Sequence, residues 1–248
     1  MSEQFSLPTE TVELPSKGLF YPAGHPLAEG KVEMKYMTAK EEDILTNPNY
    51  LKQGNVIDKL LQSMLVTKFN YDDLLIGDKN AIMVAARILS YGKNYDVVVR
   101  GTEHTVDLST LKNKEFDEAG MKGGNNSFEF VLPTTGNVIT FKLLTHGDEK
   151  AIDTEVKGIQ KISKDSFPEA TTRLKHMITS INGNPDKKSI REFVDKFLLA
   201  ADARALRLEY NRVSPDLDMR FTYTDEDGAE KEAALPITMT FFWPDFGI

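Results

Sequence analysis

The chain has 248 residues, 40% apolar and 27% charged, with a formal net charge of −8 and no cysteine. Disulfides, thiol catalysis and cysteine-bound zinc are thereby excluded, and the acidic balance argues against a nucleic-acid backbone as the main partner, which needs a concentrated positive surface. No basic segment with a long apolar run opens the chain, and no stretch approaches the roughly 18 apolar residues of a membrane span, so a soluble, cytoplasm-made protein is expected.

Residues 1–11 are polar and read as an arm. Pro15, Gly18, Pro22, Gly24, Pro26 and Gly30 break the next segment into turns, flanked by short strands over 11–14 and 32–37. Thr38 with Glu41 is a capping-box pattern, predicting a helix that stops near Asn47-Pro48. Val56, Leu60, Leu61, Met64 and Leu65 share one face of a second helix over 55–66. A third opens at Gly77-Asp78 and closes at Tyr91-Gly92. The period then changes to that of a strand over 95–99, a turn at Arg100–Glu103 and a return over 104–108. The polar stretch that follows contains Gly120, Gly123, Gly124, Asn125 and Asn126 and reads as a flexible linker.

In the remainder, strands are expected over 128–132 and 138–144, then a helix from Thr145 to about Lys161. Pro168 starts a helix carrying Leu174, Met177, Ile178 and Ile181, ending at Asn182-Gly183. Ser189 with Glu192 forms a capping box opening a helix with Phe193, Val194, Phe197 and Leu198 inward. Another helix reaches Val213. A hairpin around Asp225-Glu226-Asp227-Gly228 follows, with Leu217, Met219, Phe221 and Tyr223 alternating on one strand and Ala233 through Trp243 on the other.

The second part restates the first. Leu14-Pro15-Ser16-Lys17-Gly18 and Lys35-Tyr36-Met37-Thr38 reappear as Leu132-Pro133-Thr134-Thr135-Gly136 and Lys142-Leu143-Leu144-Thr145. Leu61, Met64 and Leu65 are echoed by Leu174, Met177 and Ile178; Leu74, Leu75 and Asp78 by Leu198, Leu199 and Asp202. The expected fold is therefore α+β in two tandem repeats, each a β-hairpin, a small helical bundle and a closing hairpin. An arm over 1–11, a first repeat over 12–120, a linker over 121–127 and a second repeat over 128–248 divide the chain.

Chemistry-bearing patterns are sparse. His25, His104, His146 and His176 lack the i, i+4 spacing of a helical metal site, and neither a G-x-S-x-G elbow nor a phosphate loop occurs. Asp72, Asp73 and Asp78 are the best carboxylate candidates, but general acid–base work needs acids converging across a cleft in different environments. No catalytic, cofactor or metal residue is assigned. Lys157, Lys161 and Lys164 recur on one helical face, and Arg204, Arg207 and Arg212 lie close together further on; such stripes read as solvated surfaces paired with neighbouring Glu or, more sharply, as a contact surface for an acidic partner. Near the end of the sequence, strand alternation turns Phe241 and Trp243 inward and leaves Phe242, Phe246 and Ile248 as candidate anchors. Trp243 is retained with them because terminal aromatics dock readily into a partner's pocket.

The phrases LPSKGLFYP, KYMTAKEEDIL, DKLLQSML, DDLLIGDKNAI, RILSYG, KLLTHGDEK, TRLKHMITSI and FFWPD, spread over most of the chain, together resemble a protein family of T-even-type contractile-tailed bacteriophages. That family is placed with baseplate hub or tail-assembly components. The resemblance implies a non-enzymatic virion protein that contacts other tail and baseplate proteins, with neither nucleic acid nor membrane as partner. It would be made in the host cytoplasm and carried into the tail. The shorter Leu-Pro-x-Gly, Lys-x-x-Thr phrase also resembles tail-assembly chaperones, which are absent from the finished particle, and a carboxylate-based hydrolase is the alternative from another class. Two similar units in one chain would present quasi-equivalent faces, suited to a homo-oligomer or to bridging rings.

Overall fold

The computed structural model describes residues 7–116, 118, 124–163, 165, 167–225, 227–237 and 241–242. Strands β1 (Thr9–Glu13) and β2 (Lys31–Lys35) pair antiparallel with Val12 opposite Val32. Alternation along β2 sends Val32 and Met34 inward and leaves Lys31 and Glu33 in water. The loop between these strands carries Leu14, Phe20, Tyr21 and Leu27 into the interior.

Helices α1 (Ala39–Leu45), α2 (Pro48–Gln53), α3 (Val56–Met64) and α4 (Ile76–Tyr91) follow. The sequence reading missed α2. Asn47-Pro48 was expected to end a helix, and it also begins one: the Asn47 side chain accepts from the Asn49 and Tyr50 N–H groups, and Pro48 takes the first helical position, where no N–H is needed. Helix α4 starts after Leu75 and not at Gly77-Asp78. Strands β3 (Asn94–Val99) and β4 (Thr102–Asp107) then form a tight hairpin through Arg100-Gly101.

Strands β5 (Phe128–Val131) and β6 (Val138–Phe141) lead to α5 (His146–Ile162) and α6 (Glu169–Met177). Here the expectation fails, because Ile178–Ile181 is not helical. It forms β7, the third strand of a β5-β6-β7 sheet, with Asn182-Gly183 turning the chain back as Ile181 meets Asn184. Helix α7 (Lys187–Lys196) is capped by Asp186, whose carboxylate accepts from the Ser189 N–H at 2.8 Å, so the expected Ser189 cap lies inside a helix already begun. Phe197, expected inward, is 60% exposed. Helix α8 (Ala200–Val213) leads into β8 (Arg220–Thr224) and β9 (Glu230–Ala234), both shorter than the alternation suggests. Phe242, expected to remain free for a partner, is 1% exposed and packs edge-on against Phe241. Trp243, Phe246, Ile248 and Lys164 lie outside the described residues.

Both halves contribute to one hydrophobic cluster. The β3–β4 hairpin of the first half meets the β8–β9 region of the second: Tyr95 packs edge-on against Phe241 and donates its hydroxyl to the Pro236 carbonyl at 3.0 Å. Gly124 and Asn126, placed in the linker by the sequence, are tied down. The Gly124 N–H donates to the Leu19 carbonyl, and the Asn126 amide brackets Leu143 by accepting from its N–H and donating to its C=O.

The two halves also repeat contacts at matching spacing. Phe130 lies opposite Ile139 as Val12 lies opposite Val32, and the Leu132 N–H donates to the Asn137 carbonyl as the Leu14 N–H donates to that of Gly30. Phe141 pairs with Ile178 as Met34 bridges to Leu65. Lys142 meets Asp148 at 2.7 Å as Lys35 meets Glu41 at 2.7 Å. The halves differ between the strands of the hairpin, where the first carries the long loop through Leu27, and at β7, a full strand where the first half has an isolated bridge at Leu65.

Candidate functional site

Buried carboxylates pin each Leu-Pro turn to a helix. Asp78, fully buried in the first turn of α4, accepts from the Ser16 N–H at 2.9 Å and the Tyr21 hydroxyl at 2.7 Å; that hydroxyl accepts in turn from the Leu75 N–H. Burial drives the Asp78 carboxyl above its ordinary value against the pull of those donors, and burial beside Asp78 raises the Tyr21 phenol. Asp202 in α8 holds the corresponding turn, accepting from the Thr134 and Thr135 N–H groups at 2.8 and 3.2 Å. A third carboxylate, Glu41, closes the α1 cap by accepting from the Thr38 N–H and from Lys35 and Ser63.

Burial pushes the Glu41 carboxyl up, but Lys35, Thr38 and Ser63 outweigh it and lower it to about 2, against an ordinary 4.5. A carboxyl depressed on folding contributes stability that is present above its unfolded value and lost as pH falls through its folded one. The urea midpoint of the wild type should therefore fall more steeply between pH 4.5 and about 2 than that of Glu41→Gln. Parallel acid profiles for the two proteins would refute this role.

The candidate hydrolytic carboxylates do not converge. Asp72 and Asp73 have side chains about half exposed on the 3₁₀ turn Tyr71–Asp73, while Asp78 is engaged in the interior with Ser16 and Tyr21. The histidines sit apart: His25 stacks on Tyr21, His104 meets Tyr223, and His176 bonds Glu155. Among the described residues no group of three or more His, Asp or Glu side chains could hold a metal ion. Lys157 is paired with Asp153 on the exposed face of α5, and Lys161 is exposed one turn on. With Phe242 in the core, the lysines and the aromatic segment do not make one surface among the described residues.

A different site emerges where the halves meet. Leu75 bridges to Thr145. The Ile76 N–H donates to the Leu144 carbonyl at 3.3 Å, and the His146 N–H donates to that of Leu74 at 2.7 Å. Around these bonds, Lys79 contacts Asp58 at 2.5 Å and His146 at 3.3 Å, Tyr71 packs edge-on against the His146 ring, and Lys150 reaches Asp72 at 3.5 Å. Burial lowers the His146 imidazole below its usual value, partly offset by Asp58. The junction covers Leu74 and Leu75, which are 0% and 3% exposed.

At the matching position in the second half there is no such cover among the described residues. Leu199, the counterpart of Leu75, caps α8 with nearly the same backbone angles and is 47% exposed, beside the exposed Phe197. The Leu74-Leu75 and Leu198-Leu199 spacing marked this pair in the sequence, but spacing alone does not show that one pair is covered and the other open. Compared with protein-family models, with curated proteins and with solved structures, the chain matches none.

Proposed function

We propose that this chain is a non-enzymatic component of a contractile phage tail, either a baseplate hub subunit or a factor that assembles the baseplate, acting through protein–protein contacts. The contact reading is carried by Leu199: an apolar helix-capping position buried by a neighbouring unit in the first half is left open in the second, next to an exposed phenylalanine. Isolated apolar residues at a surface are ordinary, but this one repeats a position whose use as a docking point is visible within the same chain. Support for the phage assignment comes from the phrases from LPSKGLFYP to TRLKHMITSI; the matching hairpin pairs and buried carboxylate clamps of the two halves are what a tandem copy of one unit would give.

Quantifying the protein in purified particles and in assembly intermediates tests the assignment. A hub subunit is found in both; a tail-assembly chaperone or other assembly factor is found only in intermediates. Absence from both, together with no co-sedimentation of the purified protein with hub or tube proteins, would overturn the proposal.

A further inference from the structure

We infer that copies of this chain join head to tail, the Leu198-Leu199 end of one copy seating on the Thr38 end of the next in the manner already used between the two halves. This rests on the contact reading above and names its partner, a second copy. Within one chain the junction is made by Leu74, Leu75 and Ile76 against Leu144, Thr145 and His146. The counterparts are Leu198, Leu199 and Ala200 on one side and Met37, Thr38 and Ala39 on the other. Among the described residues, the groups that would form the two equivalent bonds are free of partners: the Ala200 N–H and Met37 carbonyl, and the Ala39 N–H and Leu198 carbonyl.

The surrounding side chains change together, as a second junction of the same shape requires. Inside the chain, Lys79, Asp58 and His146 form a partly buried polar cluster. At the matching positions stand Ala203, Thr171 and Ala39. Removing the whole set leaves no charge stranded in the contact, where a lone buried ion would be costly. The flanking ion pair is kept with its signs exchanged: Lys150 and Asp72 correspond to Asp43 and Lys196, both exposed, the latter held to Glu192 on its own helix. Each open end thus carries the charge that its proposed mate lacks. Such a contact uses different surfaces on its two sides, so it builds a closed ring or an open filament according to the rotation between copies.

Sedimentation velocity on the full chain over a concentration series tests this. The wild type should grow in mass with concentration. Leu199→Asp should weaken association at least about tenfold, yet leave folding intact because aspartate is a favoured helix cap, a point checked by circular dichroism and melting temperature. Asp43→Lys and Lys196→Glu should each weaken association about tenfold, and the two together should restore it. A wild type that stays monomeric up to its solubility limit, or a double variant no better than the singles, overturns head-to-tail joining. If the monomeric wild type still co-sediments with hub or tube proteins and Leu199→Asp does not, only the identity of the partner falls. Self-association without presence in any tail particle or intermediate would instead sink the phage assignment alone.

Discussion

Replacing Asp78 with alanine should lower the unfolding free energy by about 3–5 kcal/mol, read as a fall in the urea midpoint at unchanged m-value. The carboxylate is the acceptor for two donors in the interior, the Ser16 N–H and the Tyr21 hydroxyl, and neither has water to turn to once it is gone. The loss propagates, since the Tyr21 hydroxyl also accepts from the Leu75 N–H at the start of α4. Asp78→Asn keeps one acceptor oxygen and should cost about 1–2 kcal/mol. In a double-mutant cycle with Tyr21→Phe, a coupling above about 0.5 kcal/mol is expected, because both changes break one network. A loss below about 1 kcal/mol for the alanine variant would show that the turn from Leu14 to Gly18 is held by something else.

Gly77→Ala sets helix propensity against packing. Gly77 lies in the first turns of α4, where alanine is ordinarily favoured over glycine by about 1 kcal/mol. A Cβ there would sit 1.9 Å from the Pro215 carbonyl oxygen, a backbone atom that cannot swing aside as a side chain would. Packing wins, and the net effect should be destabilisation by about 3 kcal/mol or more, seen as a lower thermal midpoint. Gly158→Ala in α5 is the control: a Cβ there meets nothing within 4 Å, so propensity acts unopposed and stability should rise by about 0.5–1 kcal/mol. If Gly77→Ala stabilises as Gly158→Ala does, α4 can pull away from residues 215–216, and the close approach of the two segments is not required for folding.

Local chemistry was legible in the sequence wherever it decided the outcome alone. Thr145 and Asp148 close their cap reciprocally, α3 buries Val56, Leu60, Leu61 and Met64 as its spacing predicts, and β3 is where alternation puts it, while β4 begins at Thr102, inside the expected four-residue turn. Signals with two meanings misled. Asn47-Pro48 ends one helix and starts another. Asn182-Gly183 reads as a helix end, although the same dipeptide is among the strongest signals for a two-residue hairpin turn. Ile178–Ile181 fits either reading, and sheet pairing with β6 decides for strand because Phe141 and Ile139 already present an edge. Phe242 was lost for a different reason. The adjacent Phe241 and Phe242 are both buried, so alternation does not hold across them, and Phe241 supplies a wall for its neighbour. The interface at Leu75 and the bare counterpart at Leu199 depend on which surfaces meet, and pairwise spacing carries no information on that.

The placement of Tyr95 sets an order of events during synthesis. Its ring is walled by Phe241 and its hydroxyl is received by Pro236, so the β3–β4 hairpin has no completed pocket while only the first hundred or so amino acids have left the ribosome. Clamps such as Asp78 with Ser16 can close earlier, because 62 residues separate these partners where 141 separate Tyr95 from Pro236. Closure around Tyr95 waits for Pro236 and Phe241, the former 141 residues further on, and contacts of such long sequence separation are the slow ones to form.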